Sequence, residues 1–171
     1  MRQTILQIAT TGHDPLRHRI CAIALLQMRD NVFTGKTLYT LLDPKQVFEW
    51  NHPRDQGVEE HQLSGQPTFE SITDQLIETI NGDEVIAHNM PFVEAFFDQE
   101  LSRVYSTLTN LYDLAQPFCL IQQFRTQHPG RKTGLEDLRK MCGISDKLYT
   151  DNTVLSRAQL SMHIWQHLQA N

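Results

Sequence analysis

The sequence predicts a single α/β domain in which a mixed sheet, led by three antiparallel strands, is flanked by helices. Three observations predict this fold class. Residues 1–42 contain three apolar runs joined by short connections, a pattern typical of antiparallel strands. The remainder of the chain combines a brief apolar run with several helical periodicities. A length of 171 residues without repeats or linker-like segments suits one domain over residues 1–171.

The first three strands are predicted from their apolar runs and from the turn residues around them. Turn-forming residues occupy 31–36, and Pro and Gly interrupt residues 43–67 without sustained periodicity, so we expect that second stretch to be mostly loop. The turn Thr10-Thr11-Gly12 ends the first strand. The three predicted strands span residues 4–9, 19–28 and 37–42.

The helices are predicted from apolar residues that recur at helical spacing. The clearest case is the helix over residues 69–80, which Asn81-Gly82 ends. A short buried strand at 85–87 leads into a helix from Pro91 to about Val104. The remaining predictions are a strand end at 110–113, a helix at 114–127, a basic loop at 128–132, a helix at 133–142 opened by a capping box, and a helix at 153–168.

The composition limits the possible partners and compartments. Fifteen basic and twenty acidic residues give a net charge of −5, so any contact with nucleic-acid phosphates requires a local basic patch. Cys21, Cys119 and Cys142 lie far apart in apolar stretches, which predicts reduced thiols in a cytoplasmic protein. We expect no signal peptide and no membrane partner, because no apolar run is long enough.

Three segments of the chain resemble the exonuclease motifs of the DnaQ-like (DEDDh) 3′–5′ exonucleases, the family of the proofreading subunit of bacterial replicative polymerase. The segments run from Gln7 to Gly12, from His88 to Val93 and from Asn152 to Ala158. The resemblance extends over Leu42-Asp43-Pro44, His61, Pro67-Thr68-Phe69, Pro129-Gly130-Arg131 and residues 135–138, and so covers essentially the whole chain. It implies a ribonuclease H-like fold with a five-stranded mixed sheet.

The first two motifs lack the carboxylates that the family uses. In the motif Asp-x-Glu-Thr-Thr-Gly, Gln7 stands for the aspartate and Ala9 for the glutamate. In the motif His-Asn-x-x-Phe-Asp, Val93 stands for the final aspartate. The residues that do match these motifs are Thr10, Thr11, Gly12, His88, Asn89 and Phe92.

The third motif differs from the family pattern in the same way. Asn152 stands for its histidine and Arg157 for its aspartate, whereas Ala158 matches. The resemblance therefore implies that all five catalytic positions are replaced. Since an asparagine cannot accept a proton near neutral pH, the general base is missing together with the four acids.

These replacements predict that the chain binds no metal cofactor, although the family would use two Mg²⁺ or Mn²⁺ ions about 3.5–4 Å apart. Magnesium prefers carboxylate oxygens, but Ala9 and Val93 offer no donor atom and Gln7 offers one neutral oxygen. Arg157 at about 4 Å would repel a divalent ion by up to roughly 8 kcal/mol at an effective dielectric constant near 20. Nearby acids that could substitute are Asp14, Glu94, Asp98, Asp113 and Asp151, and we do not expect them to rebuild four ligands.

The sequence thus predicts a catalytically degenerate exonuclease-like domain, a pseudo-exonuclease, that binds nucleic acid or a protein. The candidate cleft and phosphate-binding residues are Thr10, Thr11, His88, Asn89 and Arg157. Two alternatives stay open: an active metal-dependent exonuclease with relocated ligands, and a homodimeric scaffold. A neutral explanation also stays open, in which uncharged residues merely stabilise a domain that no longer needs clustered carboxylates.

Three smaller predictions concern side chains near the motifs. His88 is expected to be a hydrogen-bonded structural histidine at a strand-to-helix turn rather than a metal ligand. The basic concentration of the chain is predicted at Arg125, Arg131, Lys132 and Arg139, either as a solvated surface or as a contact for a nucleic-acid backbone. The aromatic residues Phe96, Phe97, Phe118 and Phe124 are expected in the core.

Overall fold

The computed structural model describes residues 1–46, 56–105, 109–149 and 151–170. Its five strands form one sheet in the spatial order β3-β2-β1-β4-β5. The first three strands pair antiparallel, whereas β4 runs parallel to both β1 and β5. This confirms the predicted mixed sheet with an antiparallel start. The strands are β1 (Arg2–Thr10), β2 (Ile20–Arg29), β3 (Val32–Leu41), β4 (Glu84–Ala87) and β5 (Gln116–Cys119).

Helices cover both faces of the sheet. They are α1 (Phe69–Ile80), α2 (Met90–Val104), α3 (Leu111–Leu114), α4 (Leu120–Gln127), α5 (Leu135–Met141) and α6 (Val154–Ala170), with 3₁₀ turns at Glu60–Gln62 and Asp146–Leu148. The core cluster on one face draws on α1, α2 and α3, and the cluster on the other face draws on α4, α5 and α6. In the described part of the chain, no helix combines the length and the apolar character that crossing a membrane requires.

The central strand β1 is paired on both edges and contributes to both core clusters. Its side chains alternate between the two faces, with Leu6 and Ile8 packing toward α1 and α2 and with Ile5 and Ala9 packing toward α6. All four of these side chains are buried. The carboxyl end of the strand, Thr10, therefore lies at the same end of the sheet as the carboxyl end of β4.

The strands β2 and β3 are joined by a shorter turn than the sequence predicted. The predicted turn at 31–36 is wrong, because β3 already begins at Val32 and continues through Gly35. Asp30 and Asn31, at φ 49° and 66°, form a two-residue hairpin turn instead. Residues 32–37 of this edge strand are all exposed, so the strand tolerates the polar residues and the glycine that resembled a turn.

The region around residue 115 contains a strand that the sequence analysis missed. The predicted strand end at 110–113 is the short helix α3, in which Asn110 and Asp113 cap each other at 3.1 Å in both directions. The helix predicted over 114–127 begins only at Leu120, because Gln116–Cys119 pairs with β4. Pro117 is accommodated because β5 lies at the edge of the sheet.

Other predictions can be compared directly with the structure. The helix α5 starts one residue later than the predicted capping box, since the backbone N–H of Gly134 donates to Asp137 at 3.1 Å. Residues 47–55 of the predicted loop lie outside the described residues, and a 3₁₀ turn occupies Glu60–Gln62 within it. The core placement of the aromatic residues is confirmed, as Phe96, Phe97 and Phe124 are buried and Phe118 packs on Trp165 at 4.8 Å. All three cysteines are buried and free, as predicted.

A buried ion pair holds α2 against the start of β2. The Glu100 carboxylate is fully buried and accepts hydrogen bonds from Arg19 Nε at 2.8 and 2.9 Å and from the backbone N–H of Ile20 at 2.9 Å. The backbone N–H of Arg19 in turn donates to Thr11 Oγ1 at 3.0 Å. The pair therefore links α2 to the turn that ends β1.

Glu100→Gln is expected to lower the free energy of unfolding by about 3 kcal/mol, because it removes the buried carboxylate that Arg19 and Arg103 share and leaves Arg19 only the more exposed Glu70 at 3.4 Å. Urea denaturation measures the loss. The control is Glu78→Gln, the same change at an exposed helix position, which should stay within about 0.5 kcal/mol of the parent. Equal effects of the two substitutions would contradict the role given to the pair.

Candidate functional site

The two first-motif positions lie on the face of β1 that packs against α6. Gln7 is 6% exposed, and its side-chain Nε2 lies 3.4 Å from the carbonyl oxygen of Ile8. Ala9 is fully buried in the core cluster that also contains Val154 and Ala158 of α6. The structure thus brings these positions to the helix that carries the third motif.

The two threonines at the end of β1 shape the turn rather than offering free hydroxyl groups. Thr10 Oγ1 donates to the carbonyl oxygen of Gly12 at 2.8 Å, and its backbone exchanges hydrogen bonds with the Gln56 side chain at 3.1 and 3.2 Å. Thr11 Oγ1 donates to Gln46 Oε1 at 2.7 Å. Both threonines are fully buried, so their hydroxyl protons are already committed within the protein.

His88 links the end of β4 to the segment before α5. Its Nε2 lies 2.9 Å from the carbonyl oxygen of Thr133, and since a carbonyl can only accept, Nε2 carries the proton and Nδ1 does not. Its own carbonyl oxygen accepts from the backbone N–H of Ile121 at 3.1 Å. The expected hydrogen-bonded histidine at a strand-to-helix turn is confirmed.

The pKa of His88 is lowered from its ordinary value, and the main cause is burial of the ring. The hydrogen bond to Thr133 raises the pKa, and the positive charge of Arg157 lowers it further. The neutral imidazole is therefore favoured at neutral pH. The influence of Arg157 also places the second and third motifs near each other.

The other second-motif positions differ in exposure. Asn89 precedes α2 and is exposed, and its side chain makes no capping hydrogen bond. Val93 is 3% exposed and packs in the core cluster of α1 and α2, not in the cluster that contains Ala9. Val93 therefore fills the core in the place where the family motif has a carboxylate.

Arg157 lies in the first turns of α6 and is half-buried. Burial lowers the pKa of its guanidinium, which nevertheless stays charged at neutral pH. Within the described ranges, the guanidinium forms no hydrogen bond and no ion pair. It is a partly desolvated cation without a direct ion-pair partner among these residues.

A cavity of about 340 Å³ opens beside Arg157, between the beginnings of α5 and α6. Its neutral lining is formed by Leu135, Tyr149, Asn152, Ser156 and Leu160. Two carboxylates, Glu136 and Asp151, also border it. Tyr149 was not singled out from the sequence, and no local pattern could have revealed it, because only the fold brings it next to α6.

The acidic side chains considered as replacements for the missing metal ligands do not gather into a site, and several of them accept hydrogen bonds from backbone N–H groups. Asp14 accepts from the backbone N–H of Leu16 at 3.0 Å, and Asp98 accepts from that of Leu111 at 2.7 Å. Burial of Glu94 raises its pKa, and the nearby Asp98 adds to this. Over the described ranges, no three His, Cys, Asp or Glu side chains gather in a group that could hold a metal ion.

Asp151 supports the start of α6 indirectly. The residue that caps the helix is Thr153, whose Oγ1 accepts from the backbone N–H of Ser156 at 3.2 Å. Asp151 accepts from the backbone N–H of Thr153 at 3.1 Å and from its hydroxyl at 2.9 Å. Asp151 thus holds the capping residue in place and is not the cap itself.

The predicted basic concentration is smaller than its sequence suggests. Arg125, Arg131 and Lys132 are exposed. Arg139 is only 8% exposed and forms an ion pair with Glu136 at 2.6 Å, one helical turn away on α5. Its charge is thus satisfied locally, which leaves Arg131 and Lys132 as the cations closest in the chain to Thr133 and Leu135.

Comparison with known sequences shows similarity to DNA polymerase III subunit epsilon. The subunit of Rickettsia conorii is 33% identical over 141 residues, which cover 82% of this chain and 61% of that protein. The subunit of Haemophilus influenzae is 25% identical over 173 residues, which cover 96% of this chain and 66% of that protein. The chain thus spans about three fifths of the length of the first curated relatives it matches. No family model matches the chain.

Comparison with solved structures shows the same fold in two exonucleases. Exonuclease I without ligand matches with a TM-score of 0.81 at 12% identity, over 99% of this chain and 42% of that one. Exonuclease X in complex with 5′ overhanging duplex DNA matches with a TM-score of 0.71 at 15% identity, over 98% and 92% of the two chains. The predicted ribonuclease H-like fold is confirmed.

Arg157→Gln is expected to raise the pKa of His88 toward its ordinary value of 6.5, because the change removes the nearby positive charge. An NMR titration of the His88 ring protons measures this shift. Lys132→Gln, which removes an exposed cation from the loop before Thr133, serves as the control and should leave the titration unchanged. A His88 pKa that does not respond to Arg157→Gln would disprove the proximity of the two side chains.

Proposed function

We propose that this chain, a member of the DnaQ-like 3′–5′ exonuclease family, is a pseudo-exonuclease that binds nucleic acid through its phosphates without cleaving it. The observation that carries the proposal is the half-buried guanidinium of Arg157, which forms no ion pair with any residue in the described part of the chain. It stands where the family motif has a carboxylate. The family uses this position to bind a divalent cation, whereas in this chain the side chain at the position is itself positively charged.

The side chains at the family's ligand positions do not fit a pair of divalent ions. Ala9 and Val93 are hydrocarbon side chains packed in the core, so a bound water has no polar atom there to hold it. Gln7 is buried and offers a single neutral oxygen to a cation that prefers carboxylates. Arg157 would repel the ions directly. We therefore derive no metal-dependent step for this chain.

The same guanidinium favours an anion. A phosphate at about 4 Å would be attracted by up to roughly 4 kcal/mol per unit charge at an effective dielectric constant near 20. Arginine also presents paired N–H groups that match two phosphate oxygens. The exposed Arg131 and Lys132 precede Thr133, which holds His88, and Leu135, which borders the Arg157 cavity. These cations can contact further phosphates of the same strand.

The structural relatives support a nucleic-acid ligand. Exonuclease I of Escherichia coli has been solved in complex with a dA16 oligonucleotide, with a TM-score of 0.80 to this chain at 13% identity over 99% and 41% of the two chains. A metal-free form of the exonuclease I complex with single-stranded DNA has also been solved. In that relative the fold holds a single strand in the absence of metal, which is the behaviour proposed for this chain.

Added Mg²⁺ or Mn²⁺ is expected to leave the midpoint of thermal unfolding unchanged, because no site binds either ion preferentially in the native state. A 5′-labelled single strand incubated with the protein and Mn²⁺ should remain intact, with exonuclease I as the positive control. Cleavage that a chelator abolishes would overturn the proposal in favour of an active enzyme with relocated ligands.

Arg157→Gln is expected to weaken binding of a labelled single strand about tenfold, equivalent to about 1.4 kcal/mol, because the partly desolvated cation is lost. Fluorescence anisotropy across a salt series measures the affinity. The number of counterions released on binding, taken from the salt dependence, should fall by about one. Arg29→Gln is the matched control, since Arg29 is exposed and pairs in the sheet with Arg2, at the opposite end of β1 from Thr10. Equal weakening by both substitutions would show that only the overall charge matters.

A further inference from the structure

We propose that the cavity between α5 and α6 takes the terminal phosphate monoester of a nucleic-acid strand in preference to an internal phosphodiester. This inference rests on the proposed function and specifies which part of the strand Arg157 binds. It concerns a strand end that carries a phosphate, either 5′ or 3′, because both ends present the same group.

The cavity is large enough for a phosphate group. Its volume of about 340 Å³ lies near the lower limit of the 300–1,000 Å³ range of ligand sites. Leu135 and Leu160 supply its apolar walls. The volume admits either kind of phosphate, so charge decides the preference.

The polar groups around the cavity favour a doubly charged phosphate with three free oxygens. The Arg157 guanidinium can bind two of these oxygens, and the neutral side chains of Asn152 and Ser156 border the same space. A phosphate monoester carries close to two negative charges at neutral pH, and a diester carries one. Attraction by a partly desolvated cation therefore distinguishes the two by charge.

The two carboxylates at the cavity do not reverse this preference. Glu136 is paired with Arg139 at 2.6 Å and with Lys140 at 3.6 Å, so two cations surround one acid. Asp151 is turned toward the start of α6, where the backbone N–H and the hydroxyl of Thr153 both donate to it. It keeps its negative charge, but the three cations Arg139, Lys140 and Arg157 outnumber the two carboxylates.

The test compares otherwise identical labelled single strands that end in a 5′-phosphate, a 3′-phosphate or hydroxyl groups at both ends. For the parent protein, at least one phosphorylated strand should bind about tenfold more tightly than the unphosphorylated strand. Inorganic phosphate should abolish this tenfold gain in affinity and leave the binding of the unphosphorylated strand unchanged. Arg157→Gln should abolish the preference.

Asn152→Asp provides a second variant, which adds one negative charge at the cavity with almost no change in shape. Asn152 is exposed, and circular dichroism checks that the variant folds. The preference for the phosphorylated strand should fall at least threefold. Asn81→Asp, at the exposed end of α1, is the matched control and should retain the preference. Strands that bind equally with and without a terminal phosphate would overturn the inference while leaving the proposed function intact. Failure of every strand to bind would overturn both.

Discussion

The burial of the central strand β1 is the constraint on which the remainder of this structure depends. The strand is paired on both edges and covered on both faces, so any charge at its carboxyl end needs a compensating charge nearby. In an exonuclease of the DnaQ-like family, metal ions would supply that compensation. Here Gln7 and Ala9 carry no charge, so the sheet requires no bound cation at that end.

The parts of the fold that could be predicted are those in which local pattern and tertiary environment agree. The helix over residues 69–80 was predicted to the residue because its apolar spacing and its C-terminal Asn81-Gly82 indicate the same element, and the structure adds Thr68 as its N-terminal cap. The strand Gln116–Cys119 could not be predicted. It contains a proline, lacks alternation and leads directly into α4, so its conformation depends on pairing with β4.

The sequence positions of the candidate site residues could be predicted, but the contacts of their side chains could not. The motif resemblance indicated which residues stand at the five catalytic positions. It could not show that the hydroxyl groups of Thr10 and Thr11 are used within the turn, because Gln46 and Gln56, which bind this turn, are distant in sequence. For the same reason Arg139 appeared to be part of a basic surface, although its burial against Glu136 removes it from that surface.

The neutral explanation of the replacements accounts for some positions better than for others. Gln7, Ala9 and Val93 are buried and uncharged, and such residues stabilise a domain that has no metal to neutralise carboxylates. Arg157 is different, because a half-buried guanidinium without an ion-pair partner costs free energy of desolvation rather than saving it. Stability alone therefore does not account for a positive charge at that position. We propose that a ligand supplies the anionic partner, and exonuclease I, which shares this fold, has been solved with an oligonucleotide.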